Sequence, residues 1–342
     1  MTRRPVTVAL DAMGADDGVK PVVLGACQVS LDKRPIEVVL VGDETAIKKV
    51  LDETEHDPGR ISIVHAKSAL SMTDKPKEAL EKNPDCSILK AAQLVKGVEA
   101  DVLVSAGNTG GVIMAASKTF GRLEGVRRVG LAAVHPTVER HGPKGDPFAL
   151  MLDVGATLHC KPEDLVAFAV MGSAYSRIIS DNPAPRIGLL SNGAEPNKGT
   201  ECIIEAHQRL AKMDQIAFAG NVEGLDIPKG SVDVVITEGF VGNIVLKMLE
   251  GVGEVAKQLA KIAYGKKLHY KIALGLLSSG IRKVKRLTDW KQYGGAPIVG
   301  FDHLVIKAHG RSNARAIRNA IKVAAKTVRG DLVDQIRNDL AS

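Results

Sequence analysis

The chain has 342 residues, 45% hydrophobic, 25% charged and only 3% aromatic, with 34 glycines. That balance excludes a disordered or collagen-like chain, and the length admits one large α/β domain or two smaller ones. A formal net charge of +7 asks for an acidic partner, and nucleic acid, an anionic bilayer surface, a phosphate-bearing substrate and an acidic protein all qualify.

The four cysteines, Cys27, Cys86, Cys160 and Cys202, are far apart, with no Cys-x-x-Cys pair and no histidines at zinc-finger spacing. Neither a disulfide framework nor a structural zinc is indicated, and the pattern predicts reduced thiols in a cytoplasm. The N-terminal "MTRRPVTVALDAMG" passes from two arginines straight into a strand-like run, too short for the apolar region of a signal peptide. No apolar run reaches the roughly 18 residues needed to span a bilayer.

In chain order, short apolar runs are predicted as strands: "VTVALDAMG" (6–14), "IEVVLVGD" (36–43), "ISIVHA" (61–66), "ADVLVSAG" (100–107), "FALMLDVGA" (148–156), "RIGLLSNG" (186–193), "QIAFAGNVEG" (215–224) and "VDVVITEG" (232–239). Amphipathic stretches of helix length separate most of them. Alternation of that kind predicts an α/β fold with a mainly parallel, doubly wound sheet, in which ligands bind beyond the carboxyl ends of the strands. Gly and Asn at any one strand end serve first as turn formers and helix caps. Six polar ends together, from Asp11 and Gly14 through Asn108, Asp153, Asn192 and Asn221 to Glu238, predict a shared cleft along one edge.

No repeat, low-complexity tract or linker divides the chain, so residues 1–342 are predicted to form a single domain. Residues 138–147 are expected to be a long hairpin or surface loop. From 244 to 290 the pattern changes to two successive helices with no strand between them, which predicts a projecting helical hairpin. Its tip sets Leu276, Leu277 and Ile281 beside Arg282, Lys283, Lys285 and Arg286. Such a tip suits dimer packing with a solvated charged end, or contact with an anionic membrane or an acidic carrier.

Two loops carry candidate chemistry. In "SAGNTGG" (105–111) an apolar strand gives way to Ser105, Gly107, Asn108, Thr109 and Gly110 just before a helix, whose free N–H groups favour an anion. In "IKAHGRSN" (306–313) Lys307, His309, Gly310 and Ser312 again precede a helix, now with a cation to neutralise an anion. Neither Gly-x-Gly-x-x-Gly nor Gly-x-x-x-x-Gly-Lys-Ser/Thr is present, which argues against dinucleotide and P-loop sites. A Gly-x-Ser-x-Gly elbow is absent too, and Asp11, Asp16 and Asp17 lack accompanying metal ligands.

Taken in order, "VALDAMGADDGVKPVVLGA", "SAGNTGG", "LMLDVGA", "GLLSNGAEPNKGTE", "GNVEGLDI", "VDVVITEGFVGNIVLKMLEG" and "YGGAPIVGFDHLVIKAHGRSNARAIRNAI" closely resemble the bacterial phosphate acyltransferase family, over about residues 6 to 325. The resemblance implies a three-layer α/β/α fold similar to isopropylmalate dehydrogenases and phosphotransacetylases. It implies formation of acyl phosphate from acyl-acyl carrier protein and inorganic phosphate, with no metal or nucleotide cofactor. It further implies a homodimer in peripheral contact with an anionic membrane, a downstream glycerol-3-phosphate acyltransferase as partner, and no nucleic acid. The sequence departs from the family pattern at Glu81, where arginine is usual, at Cys86 in a serine pair, at Thr157 for asparagine, and at Leu225, where a basic residue is common.

On this reading Asn108, Lys307 and His309 are expected to be catalytic. Asp11, Gly14, Ser105, Gly107, Thr109, Gly110, Asp153, Asn192, Lys198, Asn221, Asn243, Gly310 and Ser312 are expected to bind substrate or phosphate, with Lys198 as a second cation. The basic apolar tip would touch membrane or carrier. Two rival expectations are an oxidoreductase of the isopropylmalate dehydrogenase type and a non-catalytic membrane-associated scaffold.

Overall fold

A computed structural model of the chain describes residues 4–266 and 294–342. Its first half runs β1 (Val6–Asp11), α1 (Val19–Ser30), β2 (Ile36–Gly42), α2 (Glu44–Asp52), β3 (Ile61–His65), α3 (Pro76–Lys82), α4 (Ser87–Lys96), β4 (Val102–Ser105) and α5 (Thr109–Thr119). There follow β5 (Gly130–His141), β6 (Asp146–Leu152), α6 (Pro162–Ile179), β7 (Ile187–Leu190), α7 (Glu201–Leu210), β8 (Phe218–Val222), α8 (Asp226–Lys229), β9 (Val234–Ile236) and α9 (Gly239–Lys266). The chain closes with β10 (Ala296–Val299), β11 (Leu304–Lys307), α10 (Ala314–Arg329) and α11 (Leu332–Ala341).

All eleven strands join one sheet in the order β3-β2-β1-β4-β11-β10-β5-β6-β9-β7-β8. Every described pairing is parallel except three in the middle: β11 with β10, β10 with β5, and β5 with β6. Three reversals in a row leave β6, β9, β7 and β8 running opposite to β1, β4 and β11. This corrects the expectation of one shared edge. The ends at Asp11, Ser105 and Lys307 lie on one rim of the sheet, and those at Asp153, Asn192, Asn221 and Glu238 lie on the other.

Helices cover both faces, as parallel strands require when neither side meets water. β4 shows why: all four of its residues are buried, with Val102 and Val104 facing α1 and α10 while Leu103 faces α4 and α5. In the other half, Leu150 and Leu152 pack under α6, and Met151 and Val235 meet the first turns of α9 through Val245, Leu246 and Leu249. Each such aliphatic side chain, fully buried, contributes about 1.5–3 kcal/mol. The segment 138–147 forms the turn of the β5–β6 hairpin, with Gly142 and Gly145 at positive φ.

α9 is a single helix of 28 residues, which makes it about 42 Å long. It begins on the Asp153 rim. Its first turns then pack through Val245, Leu246 and Leu249 against Leu131, Ala133 and Met151 of β5 and β6, and Lys247 and Glu250 bear electrostatically on His309. From Gly251 to Leu259 every residue is exposed, and this stretch therefore leaves the body of the domain. The predicted hairpin tip, from Leu276 to Arg286, lies outside the described residues. Among those described, no helix is long and apolar enough to cross a membrane.

Candidate active site

Strand register builds the first rim. Asp11 at the end of β1 is level with Ser105 at the end of β4, and Ser105 is level with Lys307 at the end of β11. Neighbouring strands lie about 4.8 Å apart and residues level with one another share a face, so the three side chains form a row. All are buried, with Lys307 only 8% exposed. Asp11 Oδ2 accepts the Ser105 hydroxyl at 2.7 Å, while its Oδ1 accepts the Ser87 hydroxyl at 2.7 Å and the Met13 N–H at 3.3 Å.

Burial raises the pKa of Asp11, against the two serine hydroxyls, the Met13 N–H and Lys307, which lower it. Burial also lowers Lys307, to about 8, while Asp11 and Asp16 pull the other way. Burial by itself disfavours the charged form of each group. Three donors aimed at Asp11 favour the carboxylate, because only the ionised acid accepts at both oxygens without donating. We therefore read the pair as charged near neutral pH, with Lys307 holding its proton loosely.

The "SAGNTGG" loop has a more structural character than its sequence suggests. Asn108 caps α5: its Oδ1 accepts the Gly111 N–H at 3.0 Å, and its Nδ2 donates to the Met72 carbonyl at 2.9 Å. Gly107, Gly110 and Gly111 do not have positive φ; close approach explains them instead. A Cβ at Gly111 would lie 2.8 Å from Leu70, and one at Gly14 would lie 2.7 Å from both Asp11 Oδ2 and the Gly107 Cα. Asp11, Gly14, Ser105, Gly107 and Asn108 line a cavity of about 10 Å³, room for one water at most. An anion must approach from outside it, towards Thr109 and Gly110, whose N–H groups open α5 and have no acceptor within the helix.

The β11–α10 loop stands beside this row. The Lys307 ammonium donates to the Ala308 carbonyl. His309 Nδ1 accepts the Arg311 N–H at 3.2 Å, so in the neutral ring Nε2 carries the hydrogen. Burial, then the cations Lys307, Lys247 and Arg311, lower its pKa, and the half-buried ring is neutral at pH 7. Asp16 N–H donates to the Gly310 carbonyl at 3.0 Å, tying the loop to the β1–α1 turn. The fully buried Ser312 hydroxyl has no hydrogen-bond partner among the described residues.

On the other rim Asp153 clamps its own loop. Its carboxylate accepts the N–H groups of Leu131, Gly155 and Ala156 at one oxygen, at 2.9–3.0 Å, and that of Thr157 at the other, at 2.7 Å. Three of the four accepted bonds converge on Oδ1, and the group is fully buried. A Cβ at Gly242 would fall 1.9 Å from the Asp153 carbonyl, so α9 seats on this loop only because that residue is glycine. Asn243 follows on α9, its side chain 3.7 Å from where a Cβ of Gly155 would be. Asn221 is buried between His207, whose Nδ1 lies 2.9 Å from Asn221 Oδ1, and the Glu195 carbonyl, which accepts its Nδ2 at 2.8 Å. Asn192 and Lys198 are exposed, the latter folded over Gly193 beside Glu195.

The structure thus gathers Asp11, Ser105, Asn108, Lys307 and His309 at one rim and leaves Asp153, Asn192, Lys198, Asn221 and Asn243 at the other. Sequence reasoning missed Ser87 and His207. The first opens α4 and reaches Asp11 across 76 positions of sequence; nothing local marks it.

Comparison with known proteins places this architecture. The chain is similar to phosphate acyltransferases from Thermoanaerobacter pseudethanolicus (36% identical, covering 98% of this chain and 97% of that one) and Dictyoglomus turgidum (39%, covering 97% of each). Its fold is similar to a phosphotransacetylase from Streptococcus pyogenes, with a TM-score of 0.62 at 16% identity over 95% of this chain and 94% of that one. It is similar also to 4-hydroxythreonine-4-phosphate dehydrogenase from Klebsiella pneumoniae, with a TM-score of 0.52 at 13% identity over 96% and 98%. Across residues 6–335 the sequence matches the family described as fatty acid synthesis protein, and the chain belongs to that family.

Proposed function

We propose that this protein transfers the acyl group of acyl-acyl carrier protein to inorganic phosphate, releasing carrier thiol and acyl phosphate for phospholipid synthesis. The observation that carries a mechanism is Lys307, a buried cation at the end of β11 whose pKa is lowered to about 8, close to that of a thiol, about 8.5. Phosphate rests against the Thr109 and Gly110 N–H groups, drawn by the helix terminus and Lys307. A phosphate oxygen attacks the thioester carbon; the C–O bond forms, the C–S bond breaks, and the electron pair leaves on sulfur. Lys307 gives its proton to that sulfur, since a donor matched in pKa to its acceptor transfers most readily near operating pH. The neutral His309 offers its Nε2–H to the carbonyl oxygen as charge develops there.

The other assigned features complete the reading. Positive net charge suits an acidic carrier and an anionic membrane surface, steering association more than chemistry. The chain acts as a homodimer at the membrane, hands its product to a glycerol-3-phosphate acyltransferase, and resides in the cytoplasm. Lys198 and Asn243, on the far rim, are left for carrier or substrate contact. The family membership does not favour an oxidoreductase or a scaffold. Long-chain acyl-acyl carrier protein incubated with purified protein tests the proposal: carrier thiol should appear only when inorganic phosphate is present. Thiol release independent of phosphate, or none at all, refutes it.

A further inference from the structure

Asp11 was expected to bind phosphate, yet its surroundings suit a different task. An anion next to a carboxylate is repelled, the cavity that Asp11 lines holds one water at most, and Asp11 is 2% exposed. Ser105 favours the carboxylate form: its hydroxyl donates to Asp11 Oδ2 at 2.7 Å while its oxygen accepts the Gly107 N–H at 3.0 Å. Ser87 approaches the other oxygen from the start of α4. These bonds hold a fixed negative charge on the rung that also carries Lys307.

We propose that Asp11 is a positioning residue: without touching substrate, it controls when Lys307 gives up its proton. The proposal rests on Lys307 as the proton donor to the leaving thiol. The charged and titratable groups that face Lys307 are Asp11 from β1, Asp16 from the loop after it, and His309 from its own loop. β4 contributes only the neutral Ser105. Asp16 is exposed, so solvent screens it, whereas Asp11 is buried and screened far less. Without the Asp11 charge, the Lys307 ammonium keeps the cost of burial and loses the anion that offsets it.

The test follows Lys307 directly. Full-length protein labelled at lysine Cε is titrated by NMR, with the Lys307 signal identified by its loss in Lys307→Arg. In Asp11→Asn the Lys307 midpoint should fall by about one pH unit, a tenfold loss of proton affinity, as removing a unit charge two strands away implies at an effective dielectric of about 20. Asp11→Ser removes the same charge without setting an amide N–H against the serine hydroxyls, and serves if the asparagine variant does not fold. Asp16→Asn should move the midpoint much less. An unmoved midpoint in the Asp11 variants, an equal fall in Asp16→Asn, or a rise confined to the phosphate KM each overturns the proposal. The basic limb of kcat, measured on the same variants, separates the two claims. If the midpoint falls and the limb stays, Asp11 still sets Lys307 and the proton-donor role of Lys307 fails.

Discussion

Asp11 and Lys307 end strands β1 and β11 on one rung, separated by Ser105 of β4, so a buried anion and a buried cation face the same rim of the sheet. A lysine with a pKa near 8 is protonated at neutral pH and deprotonated a unit or two above it. If its proton goes to the leaving thiol, kcat is highest below pH 8 and falls as pH rises through about 8 in the wild-type protein. Lys307→Ala should lower kcat by about a hundredfold or more, within the range for loss of a general acid. Lys307→Arg keeps the positive charge but cannot release a proton; it should retain the phosphate KM and lose the basic limb. Steady-state rates across pH 6–10 decide this, and an unaltered limb in Lys307→Arg removes Lys307 from proton transfer.

Asn108 has both ends of its amide engaged, one capping α5 and the other holding the Met72 carbonyl. Asn108→Ala is expected to cost about 1–2 kcal/mol of stability, the cap accounting for most of it. Asn108→Asp keeps the cap but sets a carboxylate oxygen against the Met72 carbonyl, so it should recover only part of that loss. Urea unfolding of the three proteins compares them. A large fall in phosphate turnover with unchanged stability in Asn108→Ala would restore a direct catalytic role.

Asn108 also shows what could be read from the sequence. Each of the eight predicted apolar runs contains a strand, because alternation and buried runs report local environment. Three strands went unrecognised, β5, β10 and β11. β5 contains Pro136 and the polar "HPTVERH", and β10 is only "APIV", too short and too close to a Gly-Gly-Ala-Pro turn to stand out. These two set the direction of the sheet. A run of valines and leucines carries no sign of whether its neighbour runs with or against it, so the polar ends were assigned to one edge when they occupy two. Asp11 and Ser105 were legible as polar residues at strand ends, and Lys307 and His309 as polar residues of a loop before a helix. Their shared rung, and Ser87 behind it, depend on register between distant segments, which no local pattern encodes.

Asp153 illustrates the same limit with a different outcome. A polar strand end at Asp153 suggests a ligand contact, but its four accepted N–H groups make it the clamp on which α9 sits. Asp153→Asn puts an NH₂ against at least one of those N–H groups, leaving donors facing each other. The expected cost is about 2–3 kcal/mol, that of losing a hydrogen bond to a charged group with its partner still buried. Thermal unfolding should show it, with kcat per folded molecule reduced less than by Lys307→Ala. Unchanged stability would mean that the clamp is not needed.

Gly242 tests the seating of α9 from the other side. Since its missing Cβ would lie 1.9 Å from the Asp153 carbonyl oxygen, backbone against backbone, no side-chain rotation can relieve Gly242→Ala. The helix must shift. Gly251→Ala, on the exposed stretch, has nothing within 4 Å of its new methyl and should gain slightly, about 0.5–1 kcal/mol, from alanine's higher helix propensity. Opposite signs in urea unfolding are expected for two identical substitutions nine positions apart on one helix, and equal signs would place α9 away from the Asp153 loop.

A last pair joins the far end of β5 to the segments that enter β9 and β7. His141 Nδ1 lies 2.7 Å from Asp233 Oδ1, its Nε2 lies 2.9 Å from Thr137 Oγ1, and Asp233 Oδ2 accepts the Arg186 N–H at 2.6 Å and its Nε at 3.1 Å. The Thr137 hydroxyl donates to the Glu139 carbonyl at 2.8 Å, so its oxygen is left to accept from His141 and the arrangement is a pin, with no activated nucleophile. Burial works to raise the pKa of Asp233, but His141 and Arg186 overcome it and hold the group below the usual carboxylate value. A depressed folded pKa contributes stability above the unfolded value, about 3.9, and that contribution is lost as pH falls through the folded pKa. Asp233→Asn should therefore cost about 3 kcal/mol at pH 7, as breaking one side of a buried pair does. The difference from wild type should shrink as pH falls below the unfolded value and on through the depressed folded pKa, where the wild-type carboxylate itself takes up a proton. Urea unfolding of both proteins at pH 7 and at pH 3 measures it, and a difference that stays constant between the two would show that Asp233 carries no charge in the folded protein.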